Sequence, residues 1–419
     1  MPWRKTLVVT EEDQKLKFVS QVMHKELSIA AACAGAGISR KTGYKWLARY
    51  RESGASGLQP RSRAAHRHGR AMATEVAQLI LGLRRRREYW GARKLKTVLE
   101  HNHPELKIPA ASTIGDLLHR KGLCRPLRRR LRAQPGQPFA QVSGPNDLWC
   151  ADFKGWFRTA DGKRCDPLTI TDAHSRLLLE CRIVAPSYAQ VKLLFERAFR
   201  RYGYPRAIRT DNGEPFASAG TAGLSRLSVQ WLKAGIALER IVPGNPQQNG
   251  RHERMHRTLK AETATPPAAN HAEQQARFDR FRRCYNQRRP HEALGQTVPA
   301  AHYSPSPRAY REQLPDPWYD ADHQVARVRS DGAIKWRGEL VYLSEALAGE
   351  LVGIAEFDCD RWMVRFAGVE LGTIERDTPR LLRRTNGVGA LRSHSIGSLQ
   401  PTGKVSPMHP VQSVTYASG

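Results

Sequence analysis

The sequence has no run approaching the ~20 consecutive apolar residues that a membrane-spanning helix requires, which argues against a membrane-embedded role. Paired cysteines are missing too. Its 7 cysteines are scattered singly, without a Cys-x-x-Cys, which excludes a disulfide scaffold and points to reduced thiols in a cytoplasmic protein. His101, His103 and Cys124 lack a fourth ligand at zinc-binding spacing. Met1 to Val9 carries charge but no apolar core segment, so a secretory signal is not expected. Acidic residues are few relative to basic ones: 39 Asp and Glu face 68 Lys and Arg, a formal charge of +29.

An excess of that size makes a folded chain repel itself unless a polyanion is near. Nucleic acid is the natural partner, because neutralising phosphates releases condensed counterions. A basic surface serving only solubility needs far less charge. The 419 residues are enough for two to four domains.

Residues 11 to about 53 read as three short helices. Leu16, Val19 and Met23 recur at helical spacing, and Ser28 and Ser39 precede the second and third segments as caps. Helix, glycine-containing turn and helix make a helix-turn-helix pattern. In that reading Trp46, Leu47 and Tyr50 pack inward, while Arg40, Lys41, Thr42 and Lys45 face the major groove. A small bundle with a solvated basic face fits the same residues. A basic, proline-containing linker follows over 59–70. A second helical unit, of helix-turn-helix or winged-helix type, spans 72–126, with helices over 75–87, 91–101 and from Ser112 to Lys121. Arg128-Arg129-Arg130 and the proline-rich stretch to Pro145 form another linker.

From Asn146 the texture becomes strand-like. Strands are expected over 148–157, 165–172 and 177–184, then a helix over 188–202, a strand over 207–210, a helix over 224–234, a strand over 237–241 and a long helix from Asn249. The fold class is therefore multidomain: all-α helix-turn-helix modules over 11–58 and 72–126, and a central α/β core over 143–305 with a mixed five-stranded sheet. Short alternating strands over 320–377 suggest a small all-β barrel. Residues 378–419 lack apolar periodicity and read as a disordered tail.

Asp152 stands out in this core because it interrupts the most apolar strand, where an unpaired carboxylate is costly. Asp211 ends the fourth strand in Thr210-Asp211-Asn212-Gly213, and Glu253 sits in the first turn of the helix from Asn249. Alone, Asp211-Asn212-Gly213 is an ordinary turn signal and Glu253 an ordinary first-turn acid. Asp161 and Asp172 are rival acids at a turn and a strand end. Three carboxylates about 4 Å apart repel by roughly 4 kcal/mol per pair at an effective dielectric of 20. Only a strong cation justifies gathering them, and oxygen-only ligands select Mg²⁺ or Mn²⁺.

Three stretches carry a resemblance. They are Trp149-Cys150-Ala151-Asp152-Phe153-Lys154-Gly155, Asp211-Asn212-Gly213-Glu214-Pro215-Phe216, and the run from Pro243-Gly244-Asn245-Pro246 through Gly250-Arg251-His252-Glu253-Arg254-Met255-His256-Arg257-Thr258-Leu259-Lys260. Together with Tyr285-Asn286 to Pro290-His291, they resemble the DDE transposases of bacterial insertion sequences, whose core is of retroviral-integrase type. The resemblance covers about residues 11–310. It implies an RNase H-like fold, Asp152, Asp211 and Glu253 as catalytic acids and metal ligands, and two Mg²⁺ or Mn²⁺ ions. It also implies cleavage and strand transfer by in-line displacement at the ends of a mobile element. Partners would be double-stranded DNA, both terminal inverted repeats and target, and further copies of the chain, with no membrane and a nucleoid-associated location.

Two departures stand out. The interval between Asp211 and Glu253 is longer than the retroviral pattern, with the surplus in the small-residue loop 217–228. The zinc-binding N-terminal module of retroviral integrases is replaced by helix-turn-helix material. Helical spacing places His256, Arg257 and Lys260 on the face of Glu253, as phosphate clamps or as a solvated basic face. Asn249 and Arg251, at the start of that helix, and Lys154 are further DNA-contact candidates. A transposase-derived DNA-binding regulator without activity, and a nuclease for RNA–DNA hybrids, are the competing functional readings.

Overall fold

Thr10, Ser28 and Ser39 open the first three helices. In α1 (Glu11–Met23) the Thr10 side chain accepts from Asp13 N while Asp13 returns a bond to the Thr10 backbone, satisfying two free amides at once. Ser28 accepts from Ala31 N to begin α2 (Ile29–Gly35), and Ser39 accepts from Thr42 N to begin α3 (Arg40–Ser53). Phe18, Val19, Cys33, Leu47 and Leu58 form the core these helices share. The buried stripe of α1 runs through Lys15, Phe18 and Val19, whereas Leu16 and Met23, grouped with Val19 by spacing, are exposed. Lys15 is buried because its ammonium lies 4.5 Å over the Trp46 ring, a cation–π contact.

The structure, a computed structural model, describes residues 10–60, 72–124, 142–241 and 250–382. The expected linkers around 61–71 and 125–141, and most of the expected tail, lie outside those residues. The chain divides into two units, one ending at Ala73 and the other beginning at Thr74.

The second unit starts with α4 (Thr74–Arg86), α5 (Ala92–Asn102) and α6 (Ala111–Arg120). Ile80, Leu95 and Ile114, one from each helix, are fully buried. Arg84 fastens the group by donating to Trp90 O and Leu123 O, both at 2.7 Å. Ser112 does not cap α6, which begins without a side-chain cap bond.

The central sheet has the strand order β5-β4-β1-β6-β7. Its middle strand β1 (Leu148–Phe153) ends earlier than the sequence suggested. The chain turns at Gly155, with φ of 81°, and β2 (Phe157–Arg158) pairs instead with β3 (Arg164–Cys165) as a separate hairpin. β4 (Pro167–Asp172) and β5 (Leu178–Ile183) continue the sheet antiparallel on one side of β1. After α7 (Tyr188–Tyr202), β6 (Ala207–Thr210) joins the other side parallel to β1. Then α8 (Arg226–Lys233) leads to β7 (Ala237–Arg240), parallel to β6. Two helices follow, α9 (Gly250–Thr263) and α10 (His271–Gln287).

Period-two alternation along the strands divides the core between two faces. Trp149, Ala151, Leu168 and Ile170 pack with Val191, Phe195 and Phe199 of α7. On the opposite face Leu178 and Cys181 pack with Met255 and Leu259 of α9 and with Phe278, Phe281 and Tyr285 of α10. This three-layer arrangement is the expected mixed five-stranded core.

Beyond it lie β8 (Gln324–Arg327), β9 (Ala333–Trp336), β10 (Glu339–Tyr342), β11 (Leu351–Asp358), β12 (Arg361–Phe366), β13 (Val369–Glu375) and β14 (Thr378–Leu382). They form an antiparallel sheet ordered β14-β13-β12-β11-β8 and a separate β9–β10 hairpin that lies against β14 and β8. Among the described residues no ladder closes these strands into a barrel. The expected tail is corrected at its start, since 378–382 is strand paired to β13. This sheet and the central core share one apolar cluster, in which Val328, Leu343 and Val352 join Leu227 and Trp231. Thr221 donates to Leu343 O across the junction.

Candidate active site

Strand register brings the first two acids together. β1 and β6 run parallel with Cys150 beside Arg209, so continuing both chains by two residues sets Asp152 beside Asp211. Asp211 leaves the sheet in a turn, its Oδ1 accepting from Gly213 N at 3.2 Å, and Asn212 Nδ2 donates to Ile241 O at 2.8 Å. Glu253 lies in the first turn of α9 and is exposed. Burial pushes the Asp152 carboxyl up to about 7, and the nearby charges of Asp211 and Glu253 push in the same direction while Lys154 opposes them. Asp152 thus feels both other acids, each through like-charge repulsion.

The α9 helix is anchored by two imidazoles. His252 and His256 are buried at 2% and 5% exposure, their rings edge-on with centroids 4.4 Å apart. Both Nε2 atoms lie 2.6 Å from Thr169 Oγ1, and His252 Nδ1 lies 2.9 Å from Thr171 Oγ1. Burial drives the His252 pKa down to about 3 and that of His256 to about 2, so both rings are neutral. His256 Nδ1 faces Asp152 Oδ2 at 3.6 Å.

A cavity of about 600 Å³ opens over this site, lined by Asp152, Lys154, Glu253, His256, Arg257, Lys260 and, from the turn after α4, Tyr89. Arg257 and Lys260 are exposed there, one and two turns beyond Glu253. His256, expected on the Glu253 face as a phosphate clamp, is only 5% exposed where it lines the cavity, its Nδ1 facing Asp152. Asn249 lies outside the described residues, and of Arg251 only the helical backbone is described. Arg40, Lys41 and Lys45 are exposed along α3, and the half-buried Thr42 hydroxyl is 2.9 Å from Ser39 Oγ.

The three carboxylates are looser than sequence reasoning expected. Among the described residues, the groups of three potential ligand atoms within 4.8 Å of one another are Asp152–His252–His256 and Asp320–Asp322–His323. Asp152, Asp211 and Glu253 do not form such a group among the described residues. The rival acids have other work. Asp172, 1% exposed, accepts from Asn146 N, Ser175 N and Ser175 Oγ at 2.7–2.8 Å. Asp161 accepts from Thr159 Oγ1 in the β2–β3 turn.

Comparison with known proteins assigns the chain to a family. Residues 142–246 and 234–299 each match a family model described as an integrase core domain, and residues 7–87 match the leucine-zipper of insertion element IS481. The 39.2 kDa protein of insertion element IS476 from Xanthomonas euvesicatoria is 30% identical over 256 residues, 57% of this chain and 68% of that protein. The chain belongs to the insertion-element transposases with an integrase core. Another relative of this transposase is the 31.7 kDa protein of insertion element IS407 from Burkholderia multivorans, 29% identical over 234 residues, covering 54% of this chain and 79% of that protein. Among solved structures, the HTLV-2 integrase catalytic core domain in complex with magnesium aligns at 17% identity and a TM-score of 0.31, over 39% of this chain and 100% of that one. The transposase is an enzyme of the polynucleotidyl transferase class. No helix among its described residues is long and apolar enough to cross a membrane.

Sequence reasoning missed four residues here: His252, Thr169, Thr171 and Tyr89. For His252 a signal existed. His252, Met255, His256, Leu259 and Thr263 repeat at helical spacing and are all buried, so both histidines belong to the inward stripe of α9.

Proposed function

We propose that this transposase binds the terminal inverted repeats of its element and cuts and joins DNA strands there by in-line displacement at phosphodiesters, with Asp152, Asp211 and Glu253 as the catalytic acids. The observation that carries the reading is the strand register that sets Asp152 beside Asp211, with Asp152 and Glu253 lining one cavity together with Lys154, Arg257 and Lys260. A carboxyl whose proton affinity is raised by burial and by two neighbouring acids fits a divalent cation, which replaces the proton as the stabilising charge. The donors are all carboxylate oxygens, which fits Mg²⁺ or Mn²⁺, and three acids suffice to hold a pair of ions between them. Bound there, the cations supply Lewis-acid polarisation of the phosphodiester and activation of the attacking hydroxyl.

The chain's own groups do the rest. Lys154, Arg257 and Lys260 line the cavity and hold phosphates by charge. Asn249 and Arg251, close to Glu253 in sequence, are further candidates for contact with the DNA backbone. Tyr89 brings the second helical module to the edge of the site, so DNA seated on that module reaches the acids. Arg40, Lys41, Thr42 and Lys45 present a separate basic face for reading duplex. Strand transfer requires two ends to be held together, which calls for further copies of the chain on the DNA. The site of action is the nucleoid of the cytoplasm.

The test is Asp152→Asn in a strand-transfer assay with cognate ends and Mg²⁺ or Mn²⁺. Activity falls at least ~10³-fold, about 4 kcal/mol of transition-state stabilisation, while end binding is kept. Normal cutting by that variant overturns the reading.

A further inference from the structure

The hydroxyls and imidazoles behind Asp152 can be wired in few ways, because each has one proton to give. Thr169 Oγ1 lies 2.6 Å from both His252 Nε2 and His256 Nε2 and 3.2 Å from Asp152 O. Thr171 Oγ1 lies 2.9 Å from His252 Nδ1 and 3.5 Å from Cys150 O. Carbonyl oxygens only accept, and a neutral imidazole has one N–H and one lone pair. Suppose Thr169 gives its proton to Asp152 O or to His252. Then His256 must donate through Nε2–H, and its Nδ1 lone pair confronts the Asp152 carboxylate at 3.6 Å. That arrangement is repulsive for the ionised carboxylate, the form in which Asp152 would hold a cation.

The opposite direction satisfies every group. Thr171 donates to His252 Nδ1, His252 Nε2–H donates to Thr169, Thr169 donates to His256 Nε2, and His256 Nδ1–H points at the Asp152 carboxylate. We infer that Thr171, His252, Thr169 and His256 form a one-way hydrogen-bond relay from β4 through α9, and that His256 is thereby a positioning residue for Asp152. The inference rests on the reading of Asp152 as a catalytic acid. At 3.6 Å the last link is longer than a hydrogen bond, so the relay orients the carboxylate by its N–H dipole. It leaves no imidazole lone pair free, so the Asp152–His252–His256 group is not itself a metal site. It also fixes the rotation of α9 against β4, and with it the direction in which Glu253 is presented.

The relay makes a prediction independent of activity: two histidines one turn apart on the same helix hold opposite tautomers. Nitrogen NMR of the full-length chain, labelled with ¹⁵N-histidine and assigned with His252→Gln and His256→Asn, should show His252 protonated at Nε2 and His256 at Nδ1. An Nε2–H tautomer at His256 overturns the proposal. Substitution supplies a second reading. His256→Asn keeps an N–H near the Nδ1 position, His256→Gln keeps one near Nε2, and His256→Leu keeps neither. Strand transfer should fall about 10–100-fold in the Leu and Gln variants, the cost typical of a lost group behind a ligand, and recover in the Asn variant. Equal losses in Asn and Gln variants overturn the positioning role. If Asp152→Asn is fully active while the tautomers are as stated, the catalytic reading fails and the relay stands as a device of folding alone.

Discussion

Arg289 Nη1 donates to Glu262 Oε1 at 2.5 Å, joining the end of α10 to the last turns of α9, with side chains 11% and 19% exposed. The pair holds in place the helix that carries Glu253. Removing one member leaves the other charge largely desolvated, which costs about 3–5 kcal/mol in a fully buried pair. The residual exposure reduces this to about 1–3 kcal/mol. Arg289→Met should therefore lower the urea midpoint of the second unit, and Arg289→Met with Glu262→Met should recover most of the loss. A double variant no more stable than the single one shows that the helix junction depends on something other than this pair.

Arg257 and Lys260 decide between a phosphate clamp and a solvated basic face, two roles that helical spacing left open. Each phosphate that a side chain ceases to neutralise reduces the slope of log K against log salt by about 0.9. Replacing both with Gln should weaken end binding and reduce that slope by about 2. An unchanged slope identifies the solvated face.

Much of the core was legible because its elements are held by local rules. The apolar and aromatic enrichment of β1, β4 and β5, the capping serines of α2 and α3, and the apolar stripe of α7 can all be read along the sequence. Asp152 was legible as an anomaly, a carboxylate in an apolar strand. The fate of His256 was not, because position relative to Glu253 was weighed and position relative to Met255 and Leu259 was not. A histidine three residues from an exposed acid and one from a buried methionine lies at the border of two helix faces, and only packing chooses. Thr169 and Thr171 were beyond reach for another reason. Their partners lie more than eighty residues away, and strand register, not sequence distance, brings them together. The continuity of the C-terminal sheet with the central core is of the same kind, carried by bonds such as that of Thr221 to Leu343.

Gly43 tests the N-terminal module. A Cβ there would come within 2.5 Å of Cys33 Sγ and 3.0 Å of Phe18 Cζ, because α3 passes close over α1 and α2. Gly43→Val should prise these helices apart and melt the module. Binding of full-length protein to element ends should fall at least ~10-fold, while the heat-capacity transition of the second unit is unchanged. Unaltered end binding in a variant whose module has melted removes α3 and its Arg40, Lys41 and Lys45 from DNA recognition.

His291 sets an acid limit on the core. Its ring packs edge-on to Tyr285 with centroids 4.6 Å apart, and its Nε2 has no hydrogen-bond partner. Burial lowers its pKa to about 4, with the charges of Lys94 and Arg289 acting the same way. The unfolded chain binds the proton near pH 6.5, so between those values it carries more protons than the folded one. Stability from this residue is complete above about pH 6.5 and is lost as the pH falls toward 4. With half-burial taken into account the loss is about 1–2 kcal/mol. The comparison that isolates it is the melting temperature of His291→Gln against the unsubstituted protein, from pH 7 down to 4. The variant should begin lower at neutral pH and lose less on acidification, because it has no proton to take up. Parallel curves assign the acid sensitivity to other buried groups, of which the neutral rings of His252 and His256 are the first to examine.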